Sequence, residues 1–194
     1  MKVEAEFITS AAGAEGFPRD RLPEVAIIGR SNVGKSSLIN AMVRRTLART
    51  SAAAGKTRLA NFYRVRVGSG QPLYMVDLPG YGYARGPEGD GAFTGLTRAY
   101  FDRPGHKAVL LLVDSRHPGL VADLNAWKWL RSQPFPSAIV GTKADKLKRV
   151  ERVSHVREFE SLFAVSVPLV SAKDGEGLDA LWKLIARLPS PTAA

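Results

Sequence analysis

The sequence predicts a three-layer α/β fold, in which a mostly parallel six-stranded sheet with one antiparallel strand carries helices on both faces. Two observations lead to this fold class. Short apolar runs alternate along the chain with stretches whose apolar residues recur at helical spacing, and this alternation is typical of parallel sheets covered by crossover helices. The length of 194 residues suits one domain of this kind better than two.

The predicted strands are short apolar runs bounded by polar or turn-forming residues. Two of these runs are separated by a segment that begins Gly-Ser-Gly, which indicates a hairpin and therefore one antiparallel strand. The N-terminus, MKVEAEFITS, alternates in polarity and predicts a short edge strand within an N-terminal segment, residues 1–22. The apolar runs cover residues 25–28, 61–67, 73–76, 108–113, 138–140 and 165–170.

Four stretches with apolar residues at helical spacing are predicted to be helices. Trp127 and Trp182 fall on the apolar stripes of two of them, so we expect both side chains to pack in the core. Trp129 lies off its stripe and is assigned no role. The chain is predicted to end in a flexible tail at residues 189–194. The predicted helices cover residues 36–45, 120–130, 151–163 and 178–188.

Composition excludes several classes of protein. The chain has no cysteine, so neither a disulfide framework nor a thiolate metal site is possible. His106, His117 and His155 lie far apart and predict surface or packing roles rather than metal ligands. The longest apolar run is too short to cross a membrane, and the N-terminus lacks the apolar core of a signal peptide. We therefore expect a cytoplasmic protein.

Positive charge is concentrated in two stretches of the chain. The net charge is +10 and the pI is about 10.1. Residues 25–76 hold nine basic residues and no acidic one, and residues 143–157 hold six basic residues against two acidic ones. A stretch of one sign is typical of contact with RNA. The alternative is a solvated surface that includes a few phosphate-directed residues.

The segment GRSNVGKS follows a predicted strand and precedes a predicted helix. It matches G-x-x-x-x-G-K-S, in which glycines let backbone N–H groups point at phosphates and the helix N-terminus adds partial positive charge. Lys35 would reach the β and γ oxygens of a nucleotide, and Ser36 would bind Mg²⁺. A plain turn would not require a lysine after the second glycine. The predicted phosphate site comprises Gly29, Arg30, Ser31, Asn32, Val33, Gly34, Lys35, Ser36 and Ser37.

A second motif, Asp-Leu-Pro-Gly, follows the predicted strand at 73–76. Its aspartate can hold Mg²⁺ through water, and the amide of its glycine can contact the γ-phosphate. The residues of the motif are Asp77, Leu78, Pro79 and Gly80.

A threonine that closes on Mg²⁺ is expected between these two motifs. Thr46, Thr50 and Thr57 are the candidates, and Thr57 is preferred because it follows a glycine and stands just before a strand. With Gly55 and Lys56 it is predicted to contact the nucleotide. The predicted metal ligands are Ser36, Thr57 and Asp77, and the predicted catalytic residues are Lys35, Thr57 and Gly80.

Two further motifs follow later strands and predict a guanine site. A carboxylate at Asp145 offers two acceptors to the N1–H and 2-amino donors of guanine, whereas adenine presents an acceptor at that ring nitrogen. Such matched polar groups can discriminate by about 10⁴–10⁵. Lys143 would lie along the base and brace the phosphate loop, and the Ala172 amide would face the guanine 6-oxygen. The two motifs are Thr142, Lys143, Ala144 and Asp145, and Ser171, Ala172 and Lys173.

The wording of these motifs, notably GRSNVGKSSLIN, AGKTRLANFY, DLPGYGYA, VDSRHP, TKADK and SAK, resembles the EngB (YihA/YsxC) family of bacterial ribosome-assembly GTPases. The resemblance implies the P-loop GTPase fold, with a single G domain at residues 23–188 that binds GTP and GDP with Mg²⁺. It also implies association with the large ribosomal subunit, as a pre-50S or 50S particle, and a requirement in growth and cell division. We expect a monomer that does not bind membranes.

The chain departs from the family pattern in the first switch. Ala54, Lys56 and Arg58 stand where the family usually has proline, arginine and glutamine, so this loop is less stiff and more basic, while Thr57 is kept. The second switch is rich in glycine, and we expect it to be mobile when no nucleotide is bound.

The resemblance also concerns the position after Asp-x-x-Gly, where many GTPases carry a glutamine that orients the attacking water. This chain has Tyr81 there. We expect its ring to swing aside and hydrolysis by the isolated protein to be slow until a partner orders the switches. Tyr81 and Tyr83 could pack internally in one state and contact rRNA in the other, or belong to the core. Asn32 could hold K⁺ beside the phosphates, or it could brace the loop.

Two other functions remain to be weighed against a GTP-driven switch. A metabolic P-loop kinase or ATPase would need an acceptor pocket and a lid with arginines, and it gives no reason for Asp145 or the Ser-Ala-Lys motif. A membrane-associated G protein would need a lipidation signal or an amphipathic anchor, and the sequence has neither.

Overall fold

A computed structural model describes residues 2–48, 59–82, 93–105 and 107–188. Within these residues, six strands form one sheet in the order β1-β3-β4-β2-β5-β6. The strands are β1 (Val3–Ala11), β2 (Glu24–Gly29), β3 (Ala60–Val67), β4 (Leu73–Asp77), β5 (Lys107–Asp114) and β6 (Ser137–Thr142). The α-helices are α1 (Lys35–Val43), α2 (Gly95–Asp102), α3 (Val121–Arg131), α4 (Arg149–Phe163) and α5 (Leu178–Arg187).

The pairing of the strands confirms the predicted sheet. Strand β2 pairs in parallel with β4 and with β5, and β5 pairs in parallel with β6. Strand β3 is antiparallel to both of its neighbours, β1 and β4, so it is the single reversed strand. The N-terminal residues Val3–Ala11 form the edge strand β1.

One predicted strand was wrong. Residues 165–170 make a single bridge to the sheet, between Leu169 and Gly141, instead of a seventh strand. Proline has no backbone N–H to donate to a ladder, and Pro168 interrupts this run. Its carbonyl still accepts a hydrogen bond from the Gly141 amide at 2.9 Å, which keeps the segment beside β6.

One helix was missed by the sequence analysis. Helix α2 begins after Thr94, whose side chain accepts a hydrogen bond from the Thr97 amide. This is a regular N-cap, but it lies at the end of the glycine-rich stretch, where no apolar periodicity was recognised. Its buried face carries Tyr100 and Phe101.

The core lies in two layers, one on each face of the sheet. Helices α2, α3 and α4 cover the face that includes Ile28 and Val109. Helices α1 and α5 cover the opposite face, which includes Ile27 and Leu110. Every residue of β5 is buried, as expected of a parallel strand with helices on both sides. The three-layer arrangement is therefore the predicted one.

The tryptophans occupy these two layers. Trp127 is buried, and its Nε1 donates to the Phe163 carbonyl at 3.1 Å. Trp182 of α5 is buried in the layer that α5 shares with α1. Both tryptophans therefore pack in the core, as predicted. Trp129 packs against the rings of Phe93 and Phe101, with centroids at 4.7 Å and 5.2 Å. Among the described helices, none combines the length and apolarity that a bilayer crossing demands.

Candidate functional site

The carboxyl ends of four strands meet at one edge of the sheet, and every described motif lies there. Strand β2 leads into the phosphate loop, and β4 ends at Asp77. Strand β5 ends at Asp114 and β6 at Thr142. Ligands of open α/β sheets bind at this edge, because the loops that leave parallel strands converge there.

The phosphate loop turns sharply between β2 and α1. Gly34 caps α1 with a φ of 109°, a left-handed conformation that favours glycine. Asn32 is also left-handed, with a φ of 63°, which a short polar side chain tolerates. Lys35 begins the helix, is buried, and its Nζ lies 3.4 Å from the Gly29 carbonyl. Burial lowers the pKa of Lys35, and the negative charge of Asp77 opposes that effect.

Ser36 and Asp77 come together across 41 residues of sequence. The Ser36 hydroxyl donates to Asp77 Oδ2 at 2.6 Å. The other carboxylate oxygen, Oδ1, is buried and has no hydrogen-bond partner among the described residues. Burial raises the pKa of Asp77, while Lys35 and the Ser36 hydroxyl lower it. A buried acceptor without a partner beside a hydroxyl oxygen fits the oxygen ligands that Mg²⁺ requires, so this pair could hold the ion.

The segment after Asp77 is fixed to the phosphate loop. A Cβ on Gly80 would lie 2.8 Å from the Ser31 amide nitrogen, so the close approach of the two backbones requires glycine. The Ser31 amide donates to the Tyr81 carbonyl at 3.3 Å. The Tyr81 ring is buried, and its hydroxyl donates to Asp123 Oδ1 at 2.7 Å. The Tyr81 ring is internal in this structure, a placement that both alternatives for this residue include.

The strand end at β6 is tied to the phosphate loop by two side chains. The Thr142 hydroxyl donates to the Val33 carbonyl at 2.7 Å. Lys143 Nζ donates to the Asn32 carbonyl at 2.7 Å and to Asp114 Oδ2 at 2.9 Å. Lys143 therefore joins the end of β6 to the phosphate loop through its side chain.

The two guanine motifs lie side by side. The Ser171 hydroxyl donates to Asp145 Oδ1 at 3.0 Å, and the Lys173 amide donates to the Ser171 hydroxyl oxygen at 3.2 Å. Lys146 Nζ lies 3.5 Å from Asp145 Oδ2. The Asp145 side chain is only 11% exposed. The structure thus holds this carboxylate in a fixed orientation beside the Ser-Ala-Lys turn.

Sequence reasoning gave no role to Asp114, which organises this part of the site. Its carboxylate accepts from Lys143 and also from the Arg116 guanidinium, at 2.9 Å from Nε and 2.7 Å from Nη2. The hydrogen bonds from Arg116 and Lys143 hold the pKa of Asp114 well below its usual range, against the effect of burial. The segment VDSRHP contains Asp114 and Arg116, but it offers no sign that Asp114 contacts Lys143.

Several predicted residues lie outside the described part of the chain. These are Ala54, Gly55, Lys56, Thr57 and Arg58 in the first switch, together with Thr50, Tyr83, His106 and the tail at residues 189–194. The glycine-rich segment predicted to be mobile falls largely at residues 83–92, which are also outside it. Thr46 is described and is exposed just after α1. Within the described ranges, no cluster of three or more His, Cys, Asp or Glu residues could hold a metal ion.

The fold and the motif loops together define a P-loop GTPase. A family model described as 50S ribosome-binding GTPase matches residues 24–143. A probable GTP-binding protein EngB from Pelotomaculum thermopropionicum is 45% identical over 96% of this chain and 96% of its own. The corresponding protein from Heliobacterium modesticaldum is 42% identical over 95% of this chain and 92% of its own. The chain therefore belongs to the EngB family of GTP-binding proteins, and it is a GTPase.

A solved structure shows the same fold at lower sequence identity. It is that of Era in complex with MgGDPNP and nucleotides 1506–1542 of 16S ribosomal RNA. The TM-score is 0.74 and the identity is 21%, and the match covers 90% of this chain and 59% of the Era chain. The likeness extends over nearly all of this chain and establishes the arrangement of its strands and helices.

Proposed function

We propose that this protein is a GTP-driven switch that hydrolyses GTP slowly by itself, assists assembly of the large ribosomal subunit in the cytoplasm, and is needed for normal cell division. The observation that carries the guanine part is Asp145, held by Ser171 beside a lysine that braces the phosphate loop. Because the chain belongs to a family of GTPases, the alternative of a metabolic P-loop kinase that acts on a small molecule is not favoured. The ribosomal and division roles are extended to this chain from the family resemblance.

The phosphate loop receives the β- and γ-phosphates through its backbone N–H groups and Lys35. Ser36, Asp77 and Thr57 would hold Mg²⁺, which would supply positive charge against the negative charge of the phosphates. The Gly80 amide contacts the γ-phosphate. The orphaned oxygen of Asp77 supports the metal assignment.

We propose that the guanine base is recognised by the two later motifs, residues 142–145 and 171–173. Asp145 accepts hydrogen bonds from guanine N1–H and the 2-amino group, and the Ala172 amide donates to the 6-oxygen. Lys143 lies along the base. A nearly buried carboxylate fixed by Ser171 is costly to leave unpaired, so it favours the one purine that offers it two donors.

Basic residues of the chain differ in their availability for RNA. Arg64 and Arg66 on β3 are paired with Glu6 and Glu4 on β1, so part of the first basic stretch is neutralised at the sheet edge. The second stretch leads into α4, where several exposed side chains have no ion-pair partner among the described residues. These are Lys148, Arg149 and Arg157, with the exposed Val150 and Val153 between them. This helix face supports contact with rRNA.

Sedimentation of a lysate tests the ribosomal role. We expect the protein to move with a large-subunit particle when a non-hydrolysable GTP analogue is present, and to remain near the top of the gradient with GDP. Replacing Arg149 and Arg157 together by glutamate should weaken that association. Lys128→Glu together with Lys183→Glu, two charge reversals at exposed residues of α3 and α5, is the matched control. Free protein at the top of the gradient in both nucleotide states would contradict the proposal.

A further inference from the structure

The side chain of Tyr81 is withdrawn into the core, although its backbone borders the phosphate loop. Its ring is 2% exposed and packs edge-on against Phe93, with centroids 5.6 Å apart. The backbone forms a bridge with Arg30, and its carbonyl accepts from the Ser31 amide. The residue directly after Asp-x-x-Gly is therefore anchored twice, by its backbone to the phosphate loop and by its side chain to the helical layer.

The anchor for the side chain is Asp123, in the first turn of α3. Its carboxylate is 2% exposed, and its Oδ1 accepts the Tyr81 hydroxyl at 2.7 Å. Burying a carboxylate costs free energy. Burial raises the pKa of Asp123 to about 6; the Tyr81 hydrogen bond and the positive charge of Arg30 lower it, and the negative charge of Asp114 raises it. A neutral residue at this position would avoid that cost, so the carboxylate needs a reason.

The geometry indicates what happens if this hydrogen bond is lost. The Tyr81 backbone remains fixed by Ser31 and Arg30, so the ring can leave the core only by rotating about its side-chain bonds. Because the backbone of residues 80–81 lies against the phosphate loop, a released ring would be free to turn toward the space beside Gly80. In the proposed site the Gly80 amide contacts the γ-phosphate, so the attacking water would approach through that space.

We propose that Asp123 is a positioning residue for GTP hydrolysis, which holds the Tyr81 hydroxyl so that the ring stays in the core and the attacking water has access to the γ-phosphate. Asp123 does not touch the nucleotide and acts only through Tyr81. The inference rests on the assignment of the phosphate site and is independent of any ribosomal role. The step itself is the ordinary hydrolysis of GTP by water to GDP and phosphate.

Single-turnover hydrolysis of bound GTP tests this role, because it reports the chemical step without nucleotide exchange. Asp123→Ala and Tyr81→Phe should each slow hydrolysis by roughly 3- to 10-fold, the effect of losing one hydrogen bond, with the GTP dissociation constant changed by less than about 2-fold. The Tyr81→Phe variant keeps the ring and lacks the hydroxyl. It should therefore reproduce the defect of Asp123→Ala, and the double variant should be no slower than either.

A second pair of variants separates positioning from a structural effect. In Tyr81→Ala there is no ring to enter the water site, so adding Asp123→Ala should cause no further loss of rate. Asp123→Asn keeps an acceptor oxygen without its negative charge, so the hydrogen bond is weaker and part of the rate should be lost. The wild-type rate should fall as the pH drops through about 6, where protonation weakens the hydrogen bond, and the asparagine variant should lack this fall.

Tyr100→Phe is the matched control, because Tyr100 is a second fully buried tyrosine of the same core layer. This variant should hydrolyse GTP at the wild-type rate. Wild-type hydrolysis by Tyr81→Phe would overturn the proposal. So would an equal loss from Asp123→Ala with and without the Tyr81 ring, because that result would assign Asp123 a purely structural role. If the wild-type protein failed to bind GDP, that result would instead contradict the assignment of the phosphate site.

Discussion

The Ser36 hydroxyl and the Asp77 carboxylate are joined by a 2.6 Å hydrogen bond. This bond ties the first turn of α1 to the end of β4. The bond leaves Asp77 Oδ1 buried without a partner among the described residues. A buried acceptor in that condition costs free energy. A cation between the hydroxyl, the carboxylate and a bound phosphate would remove the cost.

Ser36→Ala tests the metal assignment. Removing the hydroxyl should leave nucleotide binding in EDTA little changed and abolish most of the gain in affinity that Mg²⁺ gives, because one proposed ligand is lost. Titration of fluorescent GDP with and without Mg²⁺ measures that gain. Ser154→Ala, a change at an exposed serine of α4, serves as the control. A full Mg²⁺ response in Ser36→Ala would contradict the assignment.

Asp145→Asn tests purine selection. The amide has one acceptor and one donor in place of two acceptors, so it matches xanthine, which presents an acceptor at position 2, better than guanine. GDP affinity should fall by roughly 10²–10⁴-fold, the effect of two charge-assisted hydrogen bonds, while xanthosine diphosphate should bind more tightly than it does to the wild type. Competition titrations with GDP, XDP and ADP measure both changes. Undiminished guanine selectivity would show that the base is read elsewhere.

Asp114→Ala tests whether the carboxylate fixes Lys143. Without it, Lys143 keeps only its contact with the Asn32 carbonyl, so we expect GDP to dissociate about 10-fold faster, in line with the loss of one charge-assisted hydrogen bond. Stopped-flow displacement of labelled GDP gives the rate. Arg116→Ala removes the other partner of the carboxylate and should have a smaller effect; an equal or larger one would place the role in the guanidinium instead.

Asp123 should also make stability depend on pH. Burial raises its pKa from 3.8 to about 6 in the folded protein, so the folded state binds the proton more tightly than the unfolded state between these values. Its contribution is therefore fully present below pH 4 and is lost as the pH rises through 6. Asp123→Asn should gain roughly 1–3 kcal/mol over the wild type between pH 5 and 7.5, measured by urea unfolding. Parallel pH profiles of the two proteins would contradict this.

Potassium tests the remaining role of Asn32. If its side-chain carbonyl helps to hold K⁺ beside the phosphates, GTP turnover should be faster in KCl than in NaCl at equal ionic strength. The left-handed backbone of Asn32 and its contact with Lys143 already account for a residue that braces the loop. Equal rates in the two salts would leave bracing as its only role.

The elements that sequence reasoning located well are those with a strong local signal. The phosphate loop has glycine at the left-handed position that caps α1, Gly34, and the strands around it are continuous apolar runs. The misjudged elements had weak or conflicting local signals. The run at 165–170 is apolar but contains Pro168, and α2 follows a glycine-rich stretch that conceals its start at Thr94.

The sequence by itself determined the order of the layers and the chemistry at each strand end, because periodicity and short motifs are properties of neighbouring residues. Only the tertiary structure decided which distant side chains meet. Lys143 with Asp114, Ser36 with Asp77, and Tyr81 with Asp123 are separated by 29, 41 and 42 residues. These contacts depend on strand order and on the packing of α3 against the sheet, which no local pattern encodes.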